Sequence, residues 1–289
     1  MNIQIMKTVH FIRHAESQAN AGEATQNGES IQLTRKGKLQ AVALANSISE
    51  KPDLITCSKY IRTQQTAAPL IRKFPSVPVK ILPLHEFTYL SPTVCAGATP
   101  NQRKNRVADY PEQAGPDFIH GDGAESFNQF IQRVDCCLQC IEFCESQNIF
   151  VFTHGHVLRA IWQDFLYLGF PSDKAQFSHF YQYMGLLPVP NTGHFKAIFQ
   201  KHQWQIIEPQ PASFLSTKFK VSTLIATQSP SPVQPILSCR RQPPCKPCDR
   251  TLFDIQGENI TLLNPENPAK VSVKPQDPKA PGQAEMPVS

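Results

Sequence analysis

The stretch Val9-His-Phe-Ile-Arg-His-Ala-Glu-Ser-Gln-Ala-Asn20 decides how the rest of the chain is read. Val9 to Ile12 is the end of an apolar strand, which breaks into Arg13 and His14, with Ala15, Glu16, Ser17 and Asn20 close behind. In open α/β sheets, ligands bind beyond the carboxyl ends of the strands, where such a break puts its side chains. A neutral imidazole is a nucleophile near pH 7, and the planar fork of an arginine grips an oxyanion. The pair gains meaning because later segments repeat the arrangement.

Working outward, residues 3–12 read as a first strand and Ala19 to Ile31 as a loop. Thr34 stands where a helix cap belongs, ahead of a helix over Arg35 to Ser49 with Leu39, Val42, Leu44 and Ile48 as its apolar positions. Asp53 to Cys57 is a short strand, and the next helix opens at Ser58 or Lys59 and stops at Pro75 and Pro78. Val79 to Leu82 is a third extended run. From Thr88 to Ala124 the period disappears among prolines and glycines, which suits a lid or binding loop, with a short helix allowed over Arg103 to Tyr110.

Glu125 then opens a long helix that ends near Gln147. Asn148 to Thr153 is the most continuous apolar strand and is expected at the centre of the sheet. His154-Gly155-His156 leads into a helix from Val157 to about Tyr167. Asn191 to Phe199 and Trp204 to Ile207 form a hairpin turned at Lys201-His202. Strands alternating with helices predict an α/β fold, a three-layer α/β/α sandwich with a mostly parallel central sheet and one antiparallel edge strand.

Parallel strands would bring their carboxyl ends to one rim. The first offers Arg13 and His14; the second leads to Arg62 in the opening turns of a helix; the third is followed by His85 and Glu86; the fourth by His154. Phosphoryl transfer through a histidine needs such a set: Arg13, Arg62 and His154 to hold the oxygens, His14 to attack, Glu86 to protonate the departing oxygen. Arg13, Arg62 and a charged His154 would also oppose protonation of His14. No cofactor, redox group or metal is called for.

Composition narrows the alternatives. A net charge of +5, with no basic run of five or more, argues against a nucleic-acid partner. No run of 18 apolar residues suggests a membrane span, and the first residues lack the pattern of a cleaved signal, so a cytoplasmic location is expected. Among nine cysteines, Cys136, Cys140 and Cys144 recur at i, i+4 and i+8 and read, with Cys137, as a buried stripe of small side chains.

Residues 1–208 hold the alternating pattern and are read as the catalytic domain. Residues 209–289 carry 14 of the 26 prolines and none of the nine histidines, and are expected to be a mostly disordered, proline-rich tail. The tail's Cys239, Cys245 and Cys248 form only one Cys-x-x-Cys pair and are read as free thiols rather than a zinc site. Its Arg240-Arg241-Gln-Pro-Pro-Cys-Lys-Pro247 run is compatible with a protein partner that binds polyproline.

Several spaced motifs resemble the histidine phosphatase superfamily. Arg13-His14-Ala15-Glu16-Ser17 with Asn20 is similar to its Arg-His-Gly-Glu-Ser opening. Leu33-Thr34, Gly37 and Gln40-Ala41 follow in order, as do Ser58, Arg62-Thr63 and Thr66-Ala67, then Leu84 with Glu86, Ala124-Glu125-Ser126 with Phe130 and Arg133, and His154-Gly155 with Arg159. The resemblance covers residues 1 to about 208. It implies that His14 is phosphorylated, that Arg13, Ser17, Asn20, Arg62 and His154 bind phosphate, and that Glu86 donates a proton, without a metal.

Two positions depart from the family pattern: Ala15 and Ala124 replace glycines. A methyl at residue 15 costs on the order of 1 kcal/mol if φ there is positive and almost nothing if it is negative. The run His85-Glu86-Phe87-Thr88-Tyr89-Leu90 lacks the segment by which the family's mutases grip phosphoglycerate. The expectation is therefore a phosphomonoester hydrolase acting on a small phosphorylated metabolite. The alternatives are a phosphoglycerate mutase-like phosphotransferase, a protein phosphatase, and a weakly catalytic binding or scaffold protein. Arg103, Lys104 and Arg106 of the long loop are either receivers of a second anionic group or a solvated face.

Overall fold

In a computed structural model, which describes residues 6–107, 115–167, 177 and 188–209, the first strand, β1, spans Lys7–Arg13. It carries Arg13 as its last residue. Val9 and Phe11 face one side of the sheet and Ile12 the other, and this alternation assigns them to two separate cores. The further strands are β2 (Leu54–Cys57), β3 (Val79–Ile81), β4 (Asn148–Thr153), β5 (His194–Gln200) and β6 (Gln203–Pro209), in the sheet order β3-β2-β4-β1-β5-β6.

β3, β2, β4 and β1 run parallel, with Arg13 opposite Thr153 and Cys57 opposite both Ile81 and Phe152. Their carboxyl ends therefore lie on one rim. β5 runs antiparallel to β1, and β6 antiparallel to β5. The hairpin turns at Lys201 and His202, both left-handed with φ of 53° and 58°. That is the two-residue turn whose twist matches that of paired strands.

Helices cover both faces. α1 (Arg35–Ser47) and α2 (Ile61–Lys73) bury Leu44, Ala45, Ala67 and Leu70 against Ile12, Ile55, Phe150 and Phe152. Two short helices, α3 (Pro92–Cys95) and α4 (Pro100–Val107), lie in the long loop. α5 (Phe127–Phe143) and α6 (Gly155–Tyr167) cover the opposite face, where Phe127, Val134, Leu138, Leu158 and Ile161 pack on Phe11, Ile149 and Val151. This is the three-layer sandwich.

Several boundaries and faces differ from the sequence reading. α1 stops at Ser47, and its buried face is Gly37, Ala41, Leu44 and Ala45, while Leu39 and Val42 are exposed. Gly37 and Ala41 are small because the chain after β1 passes close to this end of the helix, while Leu44 and Ala45 meet the sheet. α4 begins at Pro100, ahead of the helix expected at Arg103. Glu125 lies outside α5; Ser126 caps the helix, accepting from Gln129 N while the Gln129 side chain accepts from Ser126 N.

The cysteine stripe is rearranged for a similar reason. The core side of α5 passes through Val134, Cys137, Leu138 and Ile141, so Cys137 and Cys140 are buried. Cys136 is half-buried, and Cys144 is the residue after the helix. α2 also continues through Pro69, a residue that ordinarily kinks or ends a helix interior; burial of Ala67 and Leu70 on the sheet accompanies it. The expected tail, including Cys239, Cys245 and Cys248 and the 240–247 run, lies outside the described residues.

Candidate active site

Register brings the first two groups together. The backbone N–H of His14 donates to Thr153 O at 2.9 Å, continuing the β1–β4 ladder by one residue. His14 and His154 thus leave adjacent strands side by side, with ring centroids 5.2 Å apart. Arg62, in the first turn of α2, reaches both: Nε donates to His14 Nε2 at 3.2 Å and Nη2 to His154 Nδ1 at 3.1 Å. Its Nη1 donates to Gly28 O at 2.6 Å, and the Tyr60 ring lies 4.7 Å from the guanidinium.

These contacts assign both imidazole tautomers, because an arginine only donates. The ring nitrogens that face Arg62 must carry lone pairs. His14 then bears its proton on Nδ1, where Ala15 O accepts at 2.8 Å, and Nε2 is left as the nucleophilic nitrogen. His154 bears its proton on Nε2 and donates to Ser58 Oγ at 2.7 Å. Ser58 also accepts from Tyr60 N at 3.2 Å and lies 3.0 Å from Thr63 Oγ1.

Electrostatics agrees with those tautomers. Burial first, then the charges of Arg62 and Arg13, hold His14 well below its ordinary 6.5. Burial, followed by Arg62, does the same to His154. The charged His154 expected from sequence is therefore corrected: its Nδ1 accepts from Arg62, and a proton there would meet the guanidinium. Arg62 is pushed down to about 10, mainly by burial, and stays cationic at neutral pH.

Glu86 comes from the segment after β3. Thr153 Oγ1 donates to Leu84 O at 2.7 Å, and Arg133 Nη1 to His85 O at 3.0 Å, so β4 and α5 both hold that segment. Arg133 is itself fixed by Glu125, with Nη2 on Oε1 at 2.6 Å and Nε on Oε2 at 3.1 Å. Glu86 Oε1 accepts from Phe87 N at 3.1 Å and from His156 N, at the start of α6, at 3.0 Å. Burial opposes ionisation of Glu86. His156 and Arg62 outweigh it and hold the carboxyl well below its usual range.

Arg13 joins from the end of β1. A Cβ on Gly155 would lie 3.3 Å from Arg159 Nη1, 3.7 Å from Arg13 Nε and 3.8 Å from Glu86 Oε2, so these three groups surround one glycine. Arg13 Nη1 donates to Val189 O, while its Nε is buried with no hydrogen-bond partner among the described residues. A buried donor left unpaired costs free energy that an anionic ligand would recover. Three guanidinium groups against one carboxylate make the rim cationic.

Ser17 and Asn20 are placed at one remove. Asn20 Oδ1 accepts from Ser17 Oγ at 3.1 Å and from Asn191 Nδ2 at 2.9 Å, and Asn191 Nδ2 also donates to His14 O at 3.1 Å. Neither Ser17 nor Asn20 bonds to Arg62 or His154. Ala15 is absent from the residues with positive φ, so its methyl avoids the backbone strain considered above; it packs with Leu33 and Ala41. Its N–H donates to Thr66 Oγ1 at 3.0 Å.

The capping motif of α1 serves the same loop. Thr34 accepts from Gly37 N at 3.0 Å and donates to Glu16 Oε1 at 2.8 Å, and Gln40 Oε1 accepts from Glu16 N at 2.9 Å. Ser58, Thr66, His156 and Asn191 are the participants to which the sequence reading assigned no role. Ser58 and Thr66 belong to the same spaced motif as Arg62, and His156 follows His154 by two residues; Asn191 carries no signal in the sequence. Arg103 ties its own loop to the loop after β1, with Nη2 donating to Ala98 O and to Thr25 Oγ1, both at 2.6 Å. The side chains of Lys104 and Arg106 lie outside the described residues.

Among the described residues, no group of three or more His, Cys, Asp or Glu is placed to hold a metal ion, and no helix is long and apolar enough to cross a membrane. The family model described as "Histidine phosphatase superfamily (branch 1)" matches residues 9–205. No curated protein matches. Among solved structures, the chain is similar to a putative alpha-ribazole-5'-P phosphatase from Escherichia coli K-12. That likeness has 22% identity and a TM-score of 0.56, covering 70% of this chain and 94% of that one.

It is also similar to a mutant phosphoserine phosphatase from Entamoeba histolytica in complex with phosphoserine, at 19% identity and a TM-score of 0.52, covering 73% and 98%. A phosphoglycerate mutase from Bacillus anthracis matches at 15% identity and a TM-score of 0.56, covering 71% and 93%. At these identities the structural likenesses show the fold alone.

Proposed function

The chain belongs to the histidine phosphatase superfamily, and from that premise we propose that it is a phosphomonoester hydrolase working through a phosphohistidine. One observation carries the reading: His14 presents a neutral Nε2 to Arg62 while its Nδ1 proton is held by Ala15 O. A buried imidazole in that tautomer is a nucleophile beside an anion clamp. A bound phosphate displaces the arginine from the ring and takes its donors. Arg13 contributes the unpaired Nε, and His154, anchored by Ser58, sits on the other side of Arg62. Ser17 and Asn20 support the peptide next to His14 and complete the phosphate cradle.

In the first step His14 Nε2 bonds to phosphorus as the ester oxygen leaves, and that oxygen takes a proton from Glu86. In the second, Glu86 accepts a proton from water, whose oxygen attacks the phosphohistidine and expels neutral His14. The guanidinium groups supply the charge stabilisation, so turnover should survive treatment with EDTA. A small phosphorylated metabolite is the proposed substrate class, supported by the absence from 85–90 of the mutase segment. A cytoplasmic location fits such a substrate.

The deciding experiment is rapid quenching with 32P-labelled substrate under non-acidic conditions, then peptide mapping of an acid-labile, base-stable adduct. Label on His14, absent in His14→Ala, is expected. Label on another residue, or full turnover by His14→Ala, overturns the assignment. Phosphate binding without turnover would mark a binding protein built on the same fold.

A further inference from the structure

Resting on the phosphatase reading above, we propose that Glu86 and His156 share one proton, which His156 holds before substrate binds and passes to Glu86 when a phosphate dianion enters. The acid of the first step has a difficulty that this pair resolves: among three guanidinium groups a carboxylate stays ionised, yet it must donate a proton. A source within reach is needed, and it must let go only when substrate is present.

His156 is placed for that task. Its backbone N–H bonds to Glu86 Oε1, and its ring Nδ1 lies 3.0 Å from the same oxygen. A carboxylate that merely caps α6 needs the backbone donor alone. Nδ1 is shielded from solvent, and apart from this ion-pair contact, which is not an aligned hydrogen bond, it has no partner among the described residues, so the ring must turn slightly for the proton to pass. Phe87 and Tyr89 flank the imidazole, with ring centroids at 6.3 and 5.9 Å, and limit where it can turn. The two side chains remain 26% and 24% exposed, so the pair can exchange protons with water between turnovers.

The surrounding charges supply the trigger. Facing Glu86 are Arg13 and His14 from the end of β1, Arg62 from α2, His85 beside it, and His154 and Arg159 from the β4–α6 junction. Cationic neighbours favour the carboxylate. An incoming dianion cancels two of those positive charges and repels the carboxylate directly, so both changes favour protonated Glu86.

The proton accounting closes. The His156 Nδ1–H bond breaks and a Glu86 O–H bond forms; a half-turn of the carboxyl exchanges its oxygens and presents the proton to the ester oxygen. That oxygen leaves as an alcohol. The water of the second step returns one proton to Glu86, and release of phosphate sends it back to His156. His156 is thus a positioning residue that acts through Glu86.

The test uses the full chain with Asn at residue 156, whose amide keeps a donor near the Nδ1 position but cannot titrate. Carboxyl 13C NMR should show the Glu86 titration moving to higher pH in His156→Asn than in the parent. In turnover, the ratio of 4-nitrophenyl phosphate to alkyl phosphate hydrolysis should rise on the order of tenfold. The alkaline limb of the alkyl profile should move to lower pH, and added imidazole should restore alkyl turnover to His156→Ala. An unmoved Glu86 titration, or an unchanged substrate ratio and pH limb, overturns the proposal. A parent protein that forms no phosphohistidine removes the phosphatase reading and the delivery step, while the titration still decides whether the pair shares a proton.

Discussion

Arg62 Nε donates to His14 Nε2 at 3.2 Å, so the arginine sits on the lone pair that must attack phosphorus. One contact therefore sets the tautomer, opposes protonation of the ring, and marks where the phosphate will lie. It also requires the guanidinium to exchange its imidazole acceptor for phosphate oxygens on binding.

Replacing that fork by a single ammonium should separate these roles. Arg62→Lys keeps the charge but loses the simultaneous reach to His14, His154 and Gly28 O. A drop in kcat on the order of 100-fold or more is expected, by analogy with removal of one oxyanion donor. Steady-state kinetics on an aryl phosphate, with circular dichroism to verify folding, checks it; a variant within a few-fold of the parent would remove Arg62 from the clamp.

Glu86→Gln should discriminate between leaving groups. An alkyl alkoxide needs a proton and a nitrophenolate does not, so alkyl phosphates should lose on the order of 100-fold in kcat and 4-nitrophenyl phosphate far less. Equal losses would transfer the acid role to another group.

Stability should fall as the solution is acidified from neutrality. Burial, then Lys196, pushes His10 down to about 4, and burial, then Arg133, pushes His85 down to about 3. His14 and His154 are also held well below 6.5, while in the unfolded chain all four take up protons near 6.5. The unfolded state binds more protons in that window, so stability rises with pH there. The decline should begin below about pH 6.5, at up to ~1.4 kcal/mol per pH unit for each fully buried ring and less where water reaches it. His10 stops contributing near pH 4 and His85 near pH 3, and Glu86 adds a loss of the same sign below about 4.5. Urea midpoints at pH 7.5, 6 and 5 measure the slope; identical midpoints would contradict the neutral rings.

Gly37→Ala should disturb the site from a distance. A Cβ there would lie 2.0 Å from Glu16 O, a backbone atom that cannot swing aside as a side chain can. Overpacking of this kind costs about 1–3 kcal/mol and would push the Glu16 peptide, two residues from His14. Both the thermal midpoint and kcat should fall; an unchanged pair would mean that α1 shifts without cost.

The boundary near residue 208 is a proposal that truncation tests. β6 closes the sheet at Pro209, so a fragment of residues 1–209 should express as a folded protein with the turnover of the full chain. Aggregation, or loss of turnover, would show that later residues belong to the domain.

Much of the architecture is legible in the sequence. Apolar runs such as Asn148 to Thr153, alternating with helical periods, specify a parallel sheet between helices because buried parallel strands must be apolar on both faces. The rim follows from the same logic, since Arg13 ends a strand and His14, Glu86 and His154 each come after one. α1 is less legible. Amphipathic period alone favoured Leu39 and Val42 as its buried positions, whereas the face that meets the Glu16 loop admits only small side chains at 37 and 41.

The sequence by itself thus determined the fold class, the order of elements and the residues brought to one edge, because periodicity and strand direction are local properties of the chain. Only the tertiary structure decided that His154 is neutral, that His14 carries its proton on Nδ1, that Ala15 lies outside the positive-φ region, and that His156 contacts Glu86. Each of these depends on which donor meets which acceptor across 48 to 96 residues of chain, or on a backbone angle set by packing, and no spacing in the sequence carries that information.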